Sequence, residues 1–345
     1  MRNTSKARNR ADAATDVTMT SVVQDRYGAD PEAVLRTDRL PRPDIGPHQV
    51  LVRVRAAGVD RGTWHLMAGL PLAVRPVSGL RAPKLPNPGR SLAGVVEAIG
   101  ADVTGFAPGD EVYGAADAAF AEYVAARPDR IAPKPSGLTF EEAAAMPISA
   151  LTALQAVCDQ GKVGEGQRVL ITGAAGGVGT FAVQIARALG ARVTAVASTP
   201  KLDAVRALGA DRVIDYTHDD FLAGPEPYDV VIDIAGNRTL RDLRRALTPR
   251  GRLVITGGET DGRWLGGTDR QLRAQMLSPF TRRHLGTFIS SEHADGLRDL
   301  SDLVDAGTLR PVIDRVHPLT ETATAVRRLL DGAVTGKVVL TLPAG

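Results

Sequence analysis

One stretch limits the fold of this chain more than any other: VLITGAAGGVG, residues 169–179. It joins a short apolar run, RVLIT at 168–172, to an apolar helical pattern over 177–190 that ends on a glycine. Its spacing is A-x-G-x-x-G, carried by Ala174, Gly176 and Gly179. A strand that feeds a helix through such a turn leaves the first helical N–H groups free and points the positive end of the helix dipole outward. Gly176 lets the backbone approach a pyrophosphate, and Gly179 lets the helix pack on the strand. The strand–turn–helix context separates a dinucleotide fingerprint from a chance cluster of glycines. Ala174 stands in for the first glycine, which is tolerable while its φ stays negative. The plain alternative is a strand–helix turn with no ligand.

The alternation continues downstream. ARVTAVAS (191–198), RVIDY (212–216), DVVIDIAG (229–236) and GRLVITGG (251–258) read as strands, and 177–190, LDAVRALGA (202–210) and LRDLRRAL (240–247) as helices. Strands apolar along their whole length, separated by helices, predict a parallel sheet covered on both faces, doubly wound by right-handed crossovers. Before residue 148 the texture changes. VLVRVRAAGV (50–59), GVVEAIG (94–100), DEVYG (110–114) and FAEYV (120–124) are short alternations cut by Gly and Pro, the mark of a β-rich region. Residues 70–90 hold five prolines and are expected as a long irregular connection. After 290 come a helix at 294–305, PVIDRV (311–316), a helix near 320–331 and a strand GKVVLTL (336–342).

Composition excludes several other classes. A length of 345 residues suggests two domains and needs no disulfide or metal staple. One cysteine, Cys158, rules out a disulfide framework, a multi-Cys zinc site or an iron–sulfur cluster held by this chain alone. No motif around it suggests an activated nucleophile. The net charge of +3 is scattered, with no clustered basic patch for nucleic acid. No apolar run approaches the roughly 18 residues of a membrane span, and the N-terminus lacks a secretory apolar region, so the expected location is the cytoplasm. The first 17 residues are polar and patternless; their Arg bias resembles a transit peptide, against which Asp12 and Asp16 argue.

The end of the second strand of the alternation sets the nucleotide. An NAD site needs an acid there for the ribose 2′-hydroxyl. Here the chain reads Ala197-Ser198-Thr199-Pro200-Lys201, and the next acid is Asp203. Two hydroxyls and an ammonium suit a 2′-phosphate, which a carboxylate would repel, so NADP(H) is expected over NAD. The plain alternative for Lys201 is a solvated residue at a helix start.

With GVDRGTWHLMAG (58–69), GRSLAGVVEAIG (89–100), FAPGDEVYG (106–114), LTALQAV (151–157), GADRVIDYT (209–217) and GKVVL (336–340) added, the chain resembles the medium-chain dehydrogenase/reductases, in their zinc-free quinone oxidoreductase branch. The resemblance runs from about Met19 to the C-terminus. It implies an α/β fold in which a Rossmann domain is inserted into a GroES-like, β-rich catalytic domain made from both chain ends. The bounds are then a disordered tail at 1–18, the catalytic domain at 19–148 and 291–345, and the nucleotide domain at 149–290. It also implies an active site between the domains and a homodimer or homotetramer. Residue by residue, it places Ala175, Gly176, Gly177, Val178 and Gly179 at the pyrophosphate, Ser198, Thr199 and Lys201 at the 2′-phosphate, and Tyr216 against the adenosine. Thr152 falls near the nicotinamide ribose, and Gly257, Thr287, Phe288 and Ile289 beside the nicotinamide. Asp60, Trp64 and His65, with Met67, fall on the loop expected to meet nicotinamide and acceptor; His65 is a candidate proton donor.

Relatives that hold catalytic zinc do so with Cys, His and Glu, where this chain has Asp60, Arg90 and Ser91. Zinc needs about three protein ligands, and an arginine repels the ion, so no metal site is expected. Without a Lewis acid, simple alcohol–ketone exchange lacks its electrophile. Hydride addition to a quinone or an α,β-unsaturated carbonyl is less demanding, because the charge spreads onto an oxygen. The expected activity is therefore NADPH-dependent reduction of such an acceptor. The alternatives are an enoyl-thioester reductase, with the Arg-rich 75–90 stretch as thioester contact, and a non-catalytic NADPH-binding protein.

Overall fold

In the computed structural model, RVLIT and its neighbours are strands because each apolar residue has a covered face to enter. The structure describes residues 18–224, 226–257, 264 and 266–343. The expected tail at 1–17 lies outside them, and Thr18, assigned to that tail, opens the first strand.

Six strands form one sheet: β8 (Arg168–Thr172), β9 (Arg192–Ala197), β10 (Arg212–Asp215), β11 (Tyr228–Asp233), β12 (Leu247–Ile255) and β13 (His284–Thr287). Their order is β10-β9-β8-β11-β12-β13, all parallel, so the strand order reverses at β8 and β11. Side chains divide by period two. Val169, Ile171, Val193, Ala195, Val230 and Ile232 pack on one face with Phe181 and Leu297; Leu170, Val196, Val231 and Leu253 pack on the other with Leu243 and Phe221. Each large apolar side chain sealed this way contributes about 1.5–3 kcal/mol.

The other sheet is built from both ends of the chain. Its members are β3 (Val50–Val59), β4 (Ser91–Ile99), β5 (Glu111–Ala115), β6 (Tyr123–Ala126), β7 (Ile131–Pro133), β14 (Ile313–Pro318) and β15 (Lys337–Thr341). The order is β14-β15-β3-β4-β5-β7, with β6 also on β3. A separate ribbon pairs β1 (Thr18–Val23) with β2 (Arg36–Pro41). The antiparallel pair Val338↔Val59 ties the late strand to an early one.

Three local expectations change. The Asp60–Met67 stretch is not a loop but the helix Arg61–Ala68, stopped by Gly69 at φ 62°. Residues 70–90 contain a helical turn at Leu72–Val74 and another at Arg75–Ser78. Strand β12 starts at Leu247, not at 251, because Leu247 is buried on the sheet against Tyr228. No helix among the described residues is long and apolar enough to cross a membrane.

Candidate functional site

The glycine turn leaves β8 where the strand order reverses, the position at which open α/β sheets keep a crevice. Gly173, at φ 65°, turns the chain outward, and the Gly176 N–H donates back to the Gly173 carbonyl at 3.0 Å. The helix Gly177–Ala188 then begins with no side-chain cap on its first N–H groups. A β-carbon on Gly179 would stand 2.2 Å from the Gly173 oxygen, so packing demands glycine there. One on Gly176 would meet only that same oxygen at 3.4 Å, so at Gly176 the glycine keeps backbone open to an incoming group. These residues fit a pyrophosphate.

A cavity of about 430 Å³ opens outside the turn. The structure gathers Ala175, Gly176, Gly177, Ser198, Lys201 and Tyr216 on its wall. Val178 and Gly179 sit just behind, in the first turn of the helix. Arg61, Asn237 and the returning residues Gly332, Val334 and Gly336 also line it, and sequence reasoning missed all of these. Gly336 is the clasp: its N–H donates to the Ala175 carbonyl at 2.8 Å and it bridges Gly176. Its φ of 78°, and the 2.2 Å from a would-be β-carbon to the Val312 oxygen, require glycine. The GKVVL motif was visible, but only the tertiary fold shows that it reaches the turn.

Lys201 donates to the Gly332 and Val334 carbonyls at 2.6 and 2.8 Å. Burial lowers its pKa, and Asp314 opposes that shift. Thr199 is not on the cavity wall. It is exposed, and its hydroxyl donates to Asp215 at 2.5 Å. Thr217 adds its hydroxyl and its N–H to the same carboxylate at 2.6 and 2.9 Å. The hydroxyls of Thr199 and Thr217 hold Asp215 down to about 2. Asp215 was overlooked in sequence because the end of β10 lies beside the end of β9 only in the fold.

The residues expected at the nicotinamide follow the carboxyl ends of β12 and β13, except Thr152, which lies on the helix Pro147–Leu154. A β-carbon on Gly257 would stand 2.2 Å from the Ile234 oxygen. Thr287 ends β13 and donates to the Ile255 carbonyl at 2.9 Å; Phe288 packs on the core; Ile289 is 96% exposed. Half-buried Thr152 spends its hydroxyl on the Ile148 carbonyl at 2.7 Å.

On the helix Arg61–Ala68 the expected acceptor wall is only partly assembled. Met67 is sealed in the core of the catalytic domain and is not available to a pocket. Trp64 packs against the same core, and its indole N–H points to the Ala29 carbonyl at 3.4 Å. His65 stands edge-on to Trp64 with ring centroids 5.0 Å apart, and its Nδ1 lies 2.8 Å from the Leu70 carbonyl, which assigns the proton to that nitrogen. Asp60 is buried, and its Oδ2 has no hydrogen-bond partner.

At the positions where zinc relatives place ligands, Ser91 donates to the Ala144 carbonyl at 2.8 Å and Arg90 pairs with Glu292 at 2.5 Å. Burial pushes the Glu292 carboxyl up against the pull of Arg90 and Arg130. Among the described residues no three His, Cys, Asp or Glu side chains are grouped to hold a metal.

Cys158 lies on the helical turn Gln155–Gln160, half-buried, its thiol pushed up to about 11 by burial and then by Asp159 and Asp299. Iodoacetamide at pH 8 should label it about a hundredfold more slowly than a thiol of ordinary pKa in the native protein, as read by mass spectrometry. Equal labelling rates would show that the thiol is not suppressed.

Residues 46–136 match the alcohol dehydrogenase GroES-like domain family, and 208–340 match the zinc-binding dehydrogenase family. The chain is 33% identical to the mitochondrial NAD(P)H oxidoreductase RTN4IP1 of Homo sapiens, over 93% of this chain and 89% of that protein. It is 31% identical to the 2-methylene-furan-3-one reductase of Solanum lycopersicum, over 86% of this chain and 73% of that protein. The crystal structure of the Escherichia coli quinone oxidoreductase complexed with NADPH superposes with a TM-score of 0.79 at 25% identity, covering 94% of this chain and 100% of the other. This chain belongs to the medium-chain dehydrogenase/reductase superfamily, with the quinone oxidoreductases.

Proposed function

We propose that this protein is an NADPH-dependent, zinc-independent reductase that delivers hydride to a quinone or an α,β-unsaturated carbonyl. The observation that carries the reading is a single cavity wall holding the glycine turn at one end and Ser198 with Lys201 at the other. A nicotinamide dinucleotide, when bound, supplies the hydride. The chain's part is to seat its phosphates on the helix start, to meet the 2′-phosphate with a hydroxyl and an ammonium, and to close the groove with Gly336. Asp215, whose carboxylate is bonded to the Thr199 and Thr217 hydroxyls, is not part of that wall.

The acceptor follows from Arg90. Its guanidinium, paired with Glu292, stands where zinc relatives place a ligand, so no Lewis acid is available to a simple ketone. A conjugated acceptor needs less help, since added charge delocalises onto oxygen. The names of the Escherichia coli quinone oxidoreductase and the Solanum lycopersicum 2-methylene-furan-3-one reductase support this choice. The same reading carries a nucleotide domain at 149–290, a homodimer or homotetramer, and a cytoplasmic location, open to limited proteolysis, light scattering and cell fractionation.

Fluorescence titration should find NADPH bound about tenfold or more tightly than NADH, with Lys201→Ala removing most of the difference. Equal constants in the unaltered protein would overturn the 2′-phosphate assignment. In an NADPH-oxidation screen, quinones and enones should turn over and simple ketones should not. Turnover of simple ketones alone would sink the zinc-free reading.

A further inference from the structure

One exposed face has no part in the reading so far. The helix Thr268–Leu277 runs into the helical turn Ser278–Phe280 and packs inward through Ala274, which is fully buried. Its outward side carries Leu272, Met276 and Phe280, each about one turn after the last and all exposed, Phe280 at 85%. Trp264, 75% exposed, stands just before the helix. Single exposed apolar residues are ordinary, but a row of large ones marks an interaction surface. The chain around this row is basic. The Ala73 N–H donates to the Trp264 carbonyl at 3.3 Å, and a β-carbon on Gly266 would stand 3.0 Å from Pro71, so the start of the 70–90 segment lies against the Trp264 end. That segment holds Arg75, Arg81, Lys84 and Arg90 and no acid; residues 264–284 hold Arg270, Arg273, Arg282 and Arg283 against Asp269 alone. Arg90 and Arg270 are spent on Glu292 and Asp233, and Arg273 pairs with Asp269 on its own helix. Arg81, Lys84 and Arg282 are exposed, with no acidic partner among the described residues. The positive excess that looks scattered along the chain therefore gathers in two segments that meet in the fold.

Apolar and aromatic tips set among unpaired cations match the boundary of an anionic bilayer. The rings and aliphatic chains enter the headgroup layer, while the guanidinium and ammonium groups stay at the lipid phosphates and carboxylates. No helix among the described residues is long and apolar enough to cross, so such docking is peripheral. A second copy of the chain suits the face less well. A two-fold contact here would set Arg273 and Arg282 against their own copies. We propose that the face made by Trp264, Leu272, Met276 and Phe280, flanked by Arg282 and by Arg81 and Lys84 of the adjoining segment, docks on the surface of an anionic lipid bilayer. The proposal does not depend on which acceptor is reduced.

Co-sedimentation of the full chain with lipid vesicles tests it. Phosphatidylcholine vesicles holding about 30% phosphatidylserine should bind the unaltered protein about tenfold or more tightly than phosphatidylcholine alone, and about 1 M NaCl should remove the difference. Binding to neither kind of vesicle, or to both equally, would overturn the proposal. In the double variant Trp264→Ser, Phe280→Ser, binding to the anionic vesicles should fall about tenfold or more, and in Arg282→Gln about fivefold, with Tm unchanged because these side chains are exposed. Undiminished binding by the double variant would place the contact elsewhere and refute the assignment. A fluorescence arm stands apart from those variants. Lipids brominated near the headgroup should quench the unaltered protein, and Trp264→Phe should lose most of that quenching; quenching that persists would show that this face is not the one in the lipid. Two further outcomes would also overturn the proposal. One is a lipid-free dimer, seen by light scattering, that the double variant turns into a monomer, which would make the face a contact between copies. The other is binding to poly-glutamate as tight as to the anionic vesicles, which would make the partner an acidic polypeptide.

Discussion

Gly179→Val will abolish nucleotide binding and cost on the order of 3 kcal/mol of stability, the upper end of what overpacking in a tight site brings. The first carbon of the new side chain would stand 2.2 Å from the Gly173 oxygen and 2.6 Å from the Ala174 Cα, both backbone atoms. Backbone cannot swing aside as a flexible side chain can, so the helix Gly177–Ala188 must lift off the end of β8. That movement takes the helical N–H groups away from the place where the phosphates would rest. Gly137→Ala is the control, because a β-carbon there meets nothing within 4 Å. Thermal denaturation and NADPH titration of both variants check the claim; a Gly179→Val protein that binds NADPH normally would show that the turn is not the phosphate seat.

Asp233→Ala is expected to be the most destabilising single change to the crevice, at about 3–5 kcal/mol, the range for a buried charge stripped of its partner. Asp233 is fully buried at the end of β11. One oxygen accepts from the Thr172 hydroxyl at 2.7 Å and the Gly236 N–H at 3.3 Å. The other lies 2.5 Å from Arg270, whose side chain is only 11% exposed. Arg270 in turn donates to the Arg238 and Gly257 carbonyls, and thereby ties two loops beside the cavity to the sheet. Removal of the carboxylate leaves a buried guanidinium unbalanced and loosens both loops. A lowered Tm with weaker NADPH binding is the expected result. Arg270→Leu on top of Asp233→Ala should recover part of the loss, since no charge then remains uncompensated. An unchanged Tm in Asp233→Ala would refute the account.

The parts of this fold that were legible in sequence are those set by local chemistry. RVLIT, the glycine turn and the helix behind it follow from period, propensity and the steric needs of glycine over a few residues. Ser198 and Lys201 could be placed because they directly follow a recognisable strand, and they do share a wall with the turn. What escaped depends on distant segments meeting. Asp215 sits beside Thr199 only because β9 and β10 are neighbours in the sheet. Gly336 touches Ala175 across the join between domains, and no spacing rule encodes that. Met67 shows the opposite failure: a motif position read as pocket lining is core, because the helix Arg61–Ala68 turns that face inward.

The closure of the groove by Gly336 also bears on how the protein is made. The glycine turn and the strands around it emerge from the ribosome well before β15, and a nascent domain of this kind can start to fold as it appears. Until residues near 337 are free to pair with β3, however, one flank of the groove is missing. Stabilisation by a bound nucleotide acts only on species that can hold it. The ligand therefore cannot rescue early translation intermediates, and a variant that delays β15 would leave the half-finished chain to the care of chaperones.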